Sequence, residues 1–141
     1  MSKTKLLAEA QRWFKTGEMD FRAAKILLRE EEYALSCFYS HQVAEKALKA
    51  LWYALDADPW GHSLQKLIRE LSFVDEAIYE TLSPLLKDAA HLDKLYIPTR
   101  YPNGLPDLTP DESYTEEEAR DALKRAEKLL QRAKELLKSL S

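Results

Sequence analysis

Residues 33–55 read YALSCFYSHQVAEKALKALWYAL, and this stretch decides the fold. Nearly every position from Tyr33 to Leu55 is apolar or small, including Cys37, Phe38, Val43, Ala44, Ala47, Leu48, Leu51 and Trp52. A helix that is apolar almost all round is enclosed, either by other helices or by a partner subunit. The polar exceptions are therefore informative. Gln42, Glu45, Lys46 and Lys49 fall at i, i+3, i+4 and i+7, which places them on one stripe. Glu45 and Lys49 also make a favourable i, i+4 pair, worth only ~0.2–0.5 kcal/mol on an exposed helix. If that face is solvated, the stripe means nothing more. If it is covered, several charges are held at a cost, and functional sites are where such costs are tolerated.

The flanking segments read as helices too. Thr4–Glu30 carries Leu6, Ala10, Trp13, Phe14, Phe21, Ala24 and Leu28 at helical spacing. Gly17 either breaks this helix or lets another helix approach closely. After a turn containing Pro59 and Gly61, Ser63 caps a short helix with Leu64, Leu67, Ile68 and Leu71 on one face. Asp75 to about Tyr96 is helical, with a restart at Ser83-Pro84, where proline suits a first turn. Thr115 and Glu118 form a capping box. From Ala119 to Leu140 an apolar seam is sustained, with acids in the first turn and Lys134 and Lys138 at the end, as the helix dipole favours. No segment alternates like a strand. The expected fold is an all-α, up-and-down bundle of about five helices, with residues 1–141 as one domain.

Composition agrees. Three glycines in 141 residues, with plentiful Ala, Leu, Glu and Lys, favour helix. The net charge of −3 argues against a surface dominated by nucleic-acid electrostatics, although a local basic pocket is compatible with it. Cys37 is the only cysteine, so no intrachain disulfide forms, and it reads as a small buried apolar residue. Lys3 and Lys5 lead into an amphipathic segment and not an apolar run, and no stretch is apolar enough to span a bilayer. A reducing cytoplasm is the default expectation, with no membrane partner.

One segment is not explained by helices. Tyr96 to Pro110 holds four of the six prolines, spaced four apart. Prolines that stiffen it and aromatics that anchor it predict an ordered loop, and loops of this length are often functional. Arg100 lies between Tyr96 and Tyr101, and a guanidinium flanked by aromatics suits phosphate or base-stacking contacts. The plainer reading pairs Arg100 with a bundle carboxylate such as Glu45 or Asp93. No GxxxxGK[ST] or GxGxxG phosphate loop occurs, and His41, His62 and His91 lack paired-ligand spacing, so neither a metal nor a cofactor is expected. His41, on the enclosed helix, reads as a hydrogen-bonded core histidine.

Three segments resemble a known family. Gln42 to Ala50 is similar to the QxxEKxxKA signature of HEPN domains. His62-Ser63-Leu64 followed by Leu67 resembles the family's HxLxxL segment, and Asp93 to Pro102 its LDxxYIxTRYP segment. The motifs come in the family's order and cover essentially the whole chain. The resemblance implies a compact helical bundle, like the substrate-binding subunits of nucleotidyltransferases, that forms a homodimer. It implies pairing with a minimal nucleotidyltransferase in a toxin–antitoxin-like module, and a nucleotide or RNA ligand. Many relatives are metal-independent ribonucleases with an Arg four to six residues before a His. None of the three histidines here has that upstream Arg, and Asn103 stands where the family often has Asp after RYP. The expectation is therefore a nucleotide-binding or partner module that is non-catalytic or only weakly catalytic. Lys46 and Lys49 would meet phosphate, Arg100 would clamp it, and Tyr96 and Tyr101 would stack or hydrogen-bond. Gln42 and Glu45 would orient the site, with His62 nearby as the acid–base group of a rival ribonuclease reading. In a third reading the stripe and Arg100 only fix helix packing.

Overall fold

The computed structural model describes residues 2–141, and the fold is all-α. Helix α1 spans Lys3–Arg29 and α2 spans Tyr33–Ala54. The turn between them places Glu31 in the left-handed region, at φ 64°. A connection this short makes an antiparallel hairpin. Gly17 does not break α1. A Cβ built on it would stand 3.3 Å from the Val43 carbonyl oxygen and 3.4 Å from Lys46 Cβ, so glycine here permits close helix approach. Ala10, Gly17 and Ala24, seven residues apart, are all buried. Beside them Ser36 Oγ donates to the Ala24 carbonyl at 2.8 Å.

Helix α7, Glu116–Leu140, lies against α2 and α1, opened by its Thr115–Glu118 capping box. Helix α2 is thus enclosed by helices of its own chain, which accounts for its apolar circumference. Cys37, Val43, Ala44, Ala47, Leu48 and Leu51 are fully buried. Burying each of the larger aliphatic side chains contributes about 1.5–3 kcal/mol.

Between α2 and α7 come short helices. Helix α3, Leu64–Glu70, starts at Ser63, whose hydroxyl accepts from Lys66 N–H. A 3₁₀ turn follows at Leu71–Phe73. Helix α4, Glu76–Leu82, is capped by Asp75, and α5 runs Leu86–Asp93. The expected restart at Ser83-Pro84 is a 3₁₀ turn, where proline lacks the N–H that would continue the ladder. Helix ends at Asp93 and not near Tyr96, because a run of turns begins there and Pro98 disfavours helix at Ile97. Asp88 of α5 is buried and pairs with Arg125 of α7 at 2.9 Å, pinning the two helices.

The proline-spaced loop from residue 94 to 109 is built of turns and a 3₁₀ turn at Pro102–Gly104. It ends in a helix the sequence reading did not include, α6 at Pro110–Ser113, with its own capping box of Thr109 and Glu112. Among the described residues no helix is long and apolar enough to cross a membrane.

Candidate functional site

Asp93, the last residue of α5, gathers three parts of the chain. Its carboxylate accepts from Leu64 N–H at 2.7 Å, Gln65 N–H at 3.1 Å and Ser63 Oγ at 3.0 Å, all at the start of α3. His41 Nε2 of α2 lies 3.3 Å from the same group. Burial pushes the Asp93 carboxyl up, but the hydrogen bonds from His41, Leu64, Gln65 and Ser63 outweigh it and hold the carboxyl below its ordinary value. His41 is fully buried, and its Nδ1 lies 3.2 Å from Gln42 Oε1, so both ring nitrogens are engaged. It is the core histidine that its position on α2 predicts, and Gln42 is spent on holding it.

Asp93 sets the start of α3, and this places His62 beside α2. His62 Nδ1 lies 3.1 Å from Glu45 Oε1, while Lys49 Nζ lies 3.3 Å from Glu45 Oε2. Glu45 is only 6% exposed, so the stripe on α2 is covered and its charges are held inside. The His62 ring, by contrast, is more than half exposed. With Nδ1 turned to Glu45, Nε2 is the nitrogen left for a ligand. The imidazole stacks on Tyr96, with ring centroids 4.9 Å apart and planes 22° apart. Tyr96 also touches buried His41, at 4.9 Å.

Arg100 shares that tyrosine. Its guanidinium carbon lies 4.6 Å from the Tyr96 ring centroid, 4.4 Å from Phe38 and 5.2 Å from Tyr101. Its Nε donates to the Tyr96 carbonyl at 2.9 Å. The sequence reading offered Glu45 or Asp93 as its ion-pair partner. Neither is, because Glu45 is engaged by His62 and Lys49, and Asp93 by α3 and His41. Among the described residues Arg100 is a guanidinium with no carboxylate, held by three rings. Arg100 and Glu45 are joined through Tyr96 and His62 and do not touch.

The rest of the stripe goes elsewhere. Lys46 pairs with Asp20 of α1, and Lys49 lies over the Trp13 ring at 5.9 Å as well as on Glu45. Both ammonium groups are neutralised within the fold and engage residues of α1. Phe38 as the floor under Arg100, and Asp93 as the hub, were not anticipated. The Ser63 cap was the available signal for Asp93, since a helix start wants acceptors. Among the described residues no cluster of His, Cys, Asp or Glu could hold a metal ion.

Comparison with known families matches residues 10–136 to the HEPN domain. The chain belongs to the HEPN family. A relative from Methanocaldococcus jannaschii named "Putative toxin MJ1304" is 31% identical over 134 residues, covering 92% of this chain and 88% of that protein. TT1696 from Thermus thermophilus superposes with a TM-score of 0.84 at 37% identity, over 89% of this chain and 96% of that one. ST0689, described as an archaeal HEPN homologue, gives a TM-score of 0.74 at 32% identity, covering 91% and 97%. A HEPN domain protein of Thermotoga maritima gives 0.70 at 31%, covering 90% and 98%. The three motifs that carry the HEPN resemblance meet in one place: Glu45 from the first, His62 from the second, Asp93, Tyr96 and Arg100 from the third.

Proposed function

We propose that this HEPN chain binds a phosphate ester, a nucleotide or a short RNA, on the surface formed by Arg100, Tyr96 and His62. It would do so as a homodimeric partner of a minimal nucleotidyltransferase in a toxin–antitoxin-like pair. One observation carries the reading. Among the described residues Arg100 is a guanidinium with no carboxylate, fixed by three aromatic rings, one of which also stacks an imidazole oriented by Glu45. A guanidinium presents paired N–H donors to two phosphate oxygens, and the rings that fix it lower the ordering cost of binding. Tyr101, half exposed on the outer side of Arg100, offers a face for a base. Lys46 and Lys49, each matched by an acid within the fold, take no direct part in this reading. The toxin-named relative supports the toxin-like context. Isothermal titration with AMP, ATP and an oligoadenylate tests the reading. Arg100→Ala should weaken binding at least tenfold with the fold intact, and unchanged binding would sink it.

The ribonuclease reading is favoured by a separate observation. The local Arg–His pair is missing, but His62 and Arg100 both pack on Tyr96, each within 5 Å of its ring centroid, which supports a site built from the two by folding. Glu45 on Nδ1 leaves Nε2 open for acid–base work. Cleavage of labelled RNA in chelator, lost in His62→Ala, would promote it. The binding reading expects no cleavage.

A further inference from the structure

Arg100 also lines a groove of about 470 Å³ that includes neither Tyr96, His62 nor Glu45. The groove runs between the start of α2 and the start of α6, with Glu32, Leu35, Thr109, Pro110 and Asp111 along it. Its chemistry differs from that of the phosphate site. Arg100 is the single cation among the lining residues, and Glu32 and Asp111 are both exposed. Neither acid forms an ion pair among the described residues. More acids surround them. Tyr33 Oη donates to Glu116 at 3.4 Å, which brings the acidic start of α7 to the α1–α2 turn that carries Glu31 and Glu32. A polyanion laid here would meet unmatched carboxylates on both walls. Between those walls the surface is apolar: Leu35 is 41% exposed, Pro110 sits opposite it on α6, and neighbouring Leu108 is 46% exposed.

We propose that this groove docks an extended, basic peptide segment of a partner protein, directly beside the phosphate site. Charge complementarity names the occupant. Lys or Arg side chains of the segment pair with Glu32 and Asp111, an aliphatic residue between them rests on Leu35 and Pro110, and a main-chain carbonyl takes an N–H of Arg100. The proposal deepens the reading of this chain as a partner module. Arg100 is the wall shared by the two sites, so a docked partner would sit within reach of whatever phosphate the Tyr96 side holds.

The test begins with selection of a random 12-residue peptide library on the folded full chain. The expected winners carry Lys or Arg around an aliphatic residue. A fluorescein-labelled winner, followed by anisotropy, should lose at least tenfold in affinity against Glu32→Lys/Asp111→Lys and against Leu35→Ser. Its affinity should also fall with rising salt. AMP binding, read in parallel, should survive all three substitutions. That separates failure here from failure of the phosphate site, which Arg100→Ala reports. Circular dichroism confirms folding of the variants. The proposal is overturned by winners that are acidic or uncharged, by no enrichment, or by unchanged affinity in the double variant. It is equally overturned if the double variant shifts a dimer to a monomer in sedimentation, since a second copy is then the occupant. Tighter oligoadenylate binding by the charge-reversed groove with no effect on the peptide would also overturn it.

Discussion

Removing the Asp93 carboxylate should unfold this protein more readily than any single change at the exposed site. Asp93→Ala strips acceptors from the first two N–H groups of α3 and from the Ser63 hydroxyl. Losing a cap of this kind costs about 1 kcal/mol. It also leaves His41 Nε2 without its acceptor in a fully buried position, which adds about 1–3 kcal/mol. The expected loss is about 3 kcal/mol, or roughly 6–12 °C in Tm for a chain of this size. Asp93→Asn keeps the shape and one acceptor, and should cost about 1–2 kcal/mol. The pH dependence has a definite sign. The folded carboxyl titrates below its ordinary value of 3.8, so its contribution is complete above that value and is lost as pH falls through the folded one. The gap between wild type and Asp93→Asn should be constant from neutral pH down to about 5 and shrink below about 4. Urea unfolding followed by tryptophan fluorescence across this range measures both quantities, with buried Trp52 as reporter. An Asp93→Ala variant within about 1 kcal/mol of wild type, or a gap that widens in acid, would refute the view of Asp93 as the hub.

Other outcomes follow from single contacts. Ser40 is fully buried and its hydroxyl has no partner among the described residues, so Ser40→Ala should raise stability by about 1 kcal/mol; a loss in urea unfolding would mean an unseen partner. Gly17→Val should cost about 1–3 kcal/mol, because the added methyls enter a space already closed by the Val43 carbonyl and Lys46; a neutral melting curve would show that α1 and α2 can part easily. Burial, helped by the charges of Glu118 and Asp121, pushes the Cys37 thiol up to about 12. Its labelling by a thiol reagent near neutral pH should therefore follow the unfolding rate, and fast modification of the native protein would contradict this.

Helix was legible wherever it rests on local rules. The capping box at Thr115, the Ser63 cap and the all-round apolar character of α2 each depend on neighbours in sequence or on one helical face, whereas Gly17 was left between a break and a close approach that only the α2 backbone decides. Helix α6 obeys the same local rule through Thr109 and Glu112, but the surrounding prolines masked it as loop. Only part of the expected cluster was legible as residues that come together, and their pairings less so. Tyr96, Arg100, Glu45 and His62 meet, yet the stripe on α2 divides: Lys46 is claimed by Asp20, twenty-six positions away, and Lys49 lies against Trp13. The side-chain spacing of one helix shows which residues share a face, and says nothing of which acid on another helix neutralises them. For the same reason Arg100, which looks in sequence like one half of an ion pair, is held by rings. Phe38 comes from α2 and reaches it only because the loop folds back.

The gathering of three segments on Asp93 has a consequence for motion. Helices α1, α2 and α7 form the most extensively packed slab, while α3 to α5 attach to it more lightly and are pinned at the Asp93 knot. We expect such a unit to open sub-globally, at a free energy below that of complete unfolding, which native-state amide exchange would measure. His62 stands just before it and Tyr96 just after it, whereas Glu45 stays with the slab. Each such opening would dismantle the stacked pair without unfolding the protein. The apparent affinity for any ligand held there equals the intrinsic affinity scaled by the closed fraction. A ligand that bridges His62 and Arg100 would in turn slow amide exchange across α3 and α5 while leaving α1 untouched.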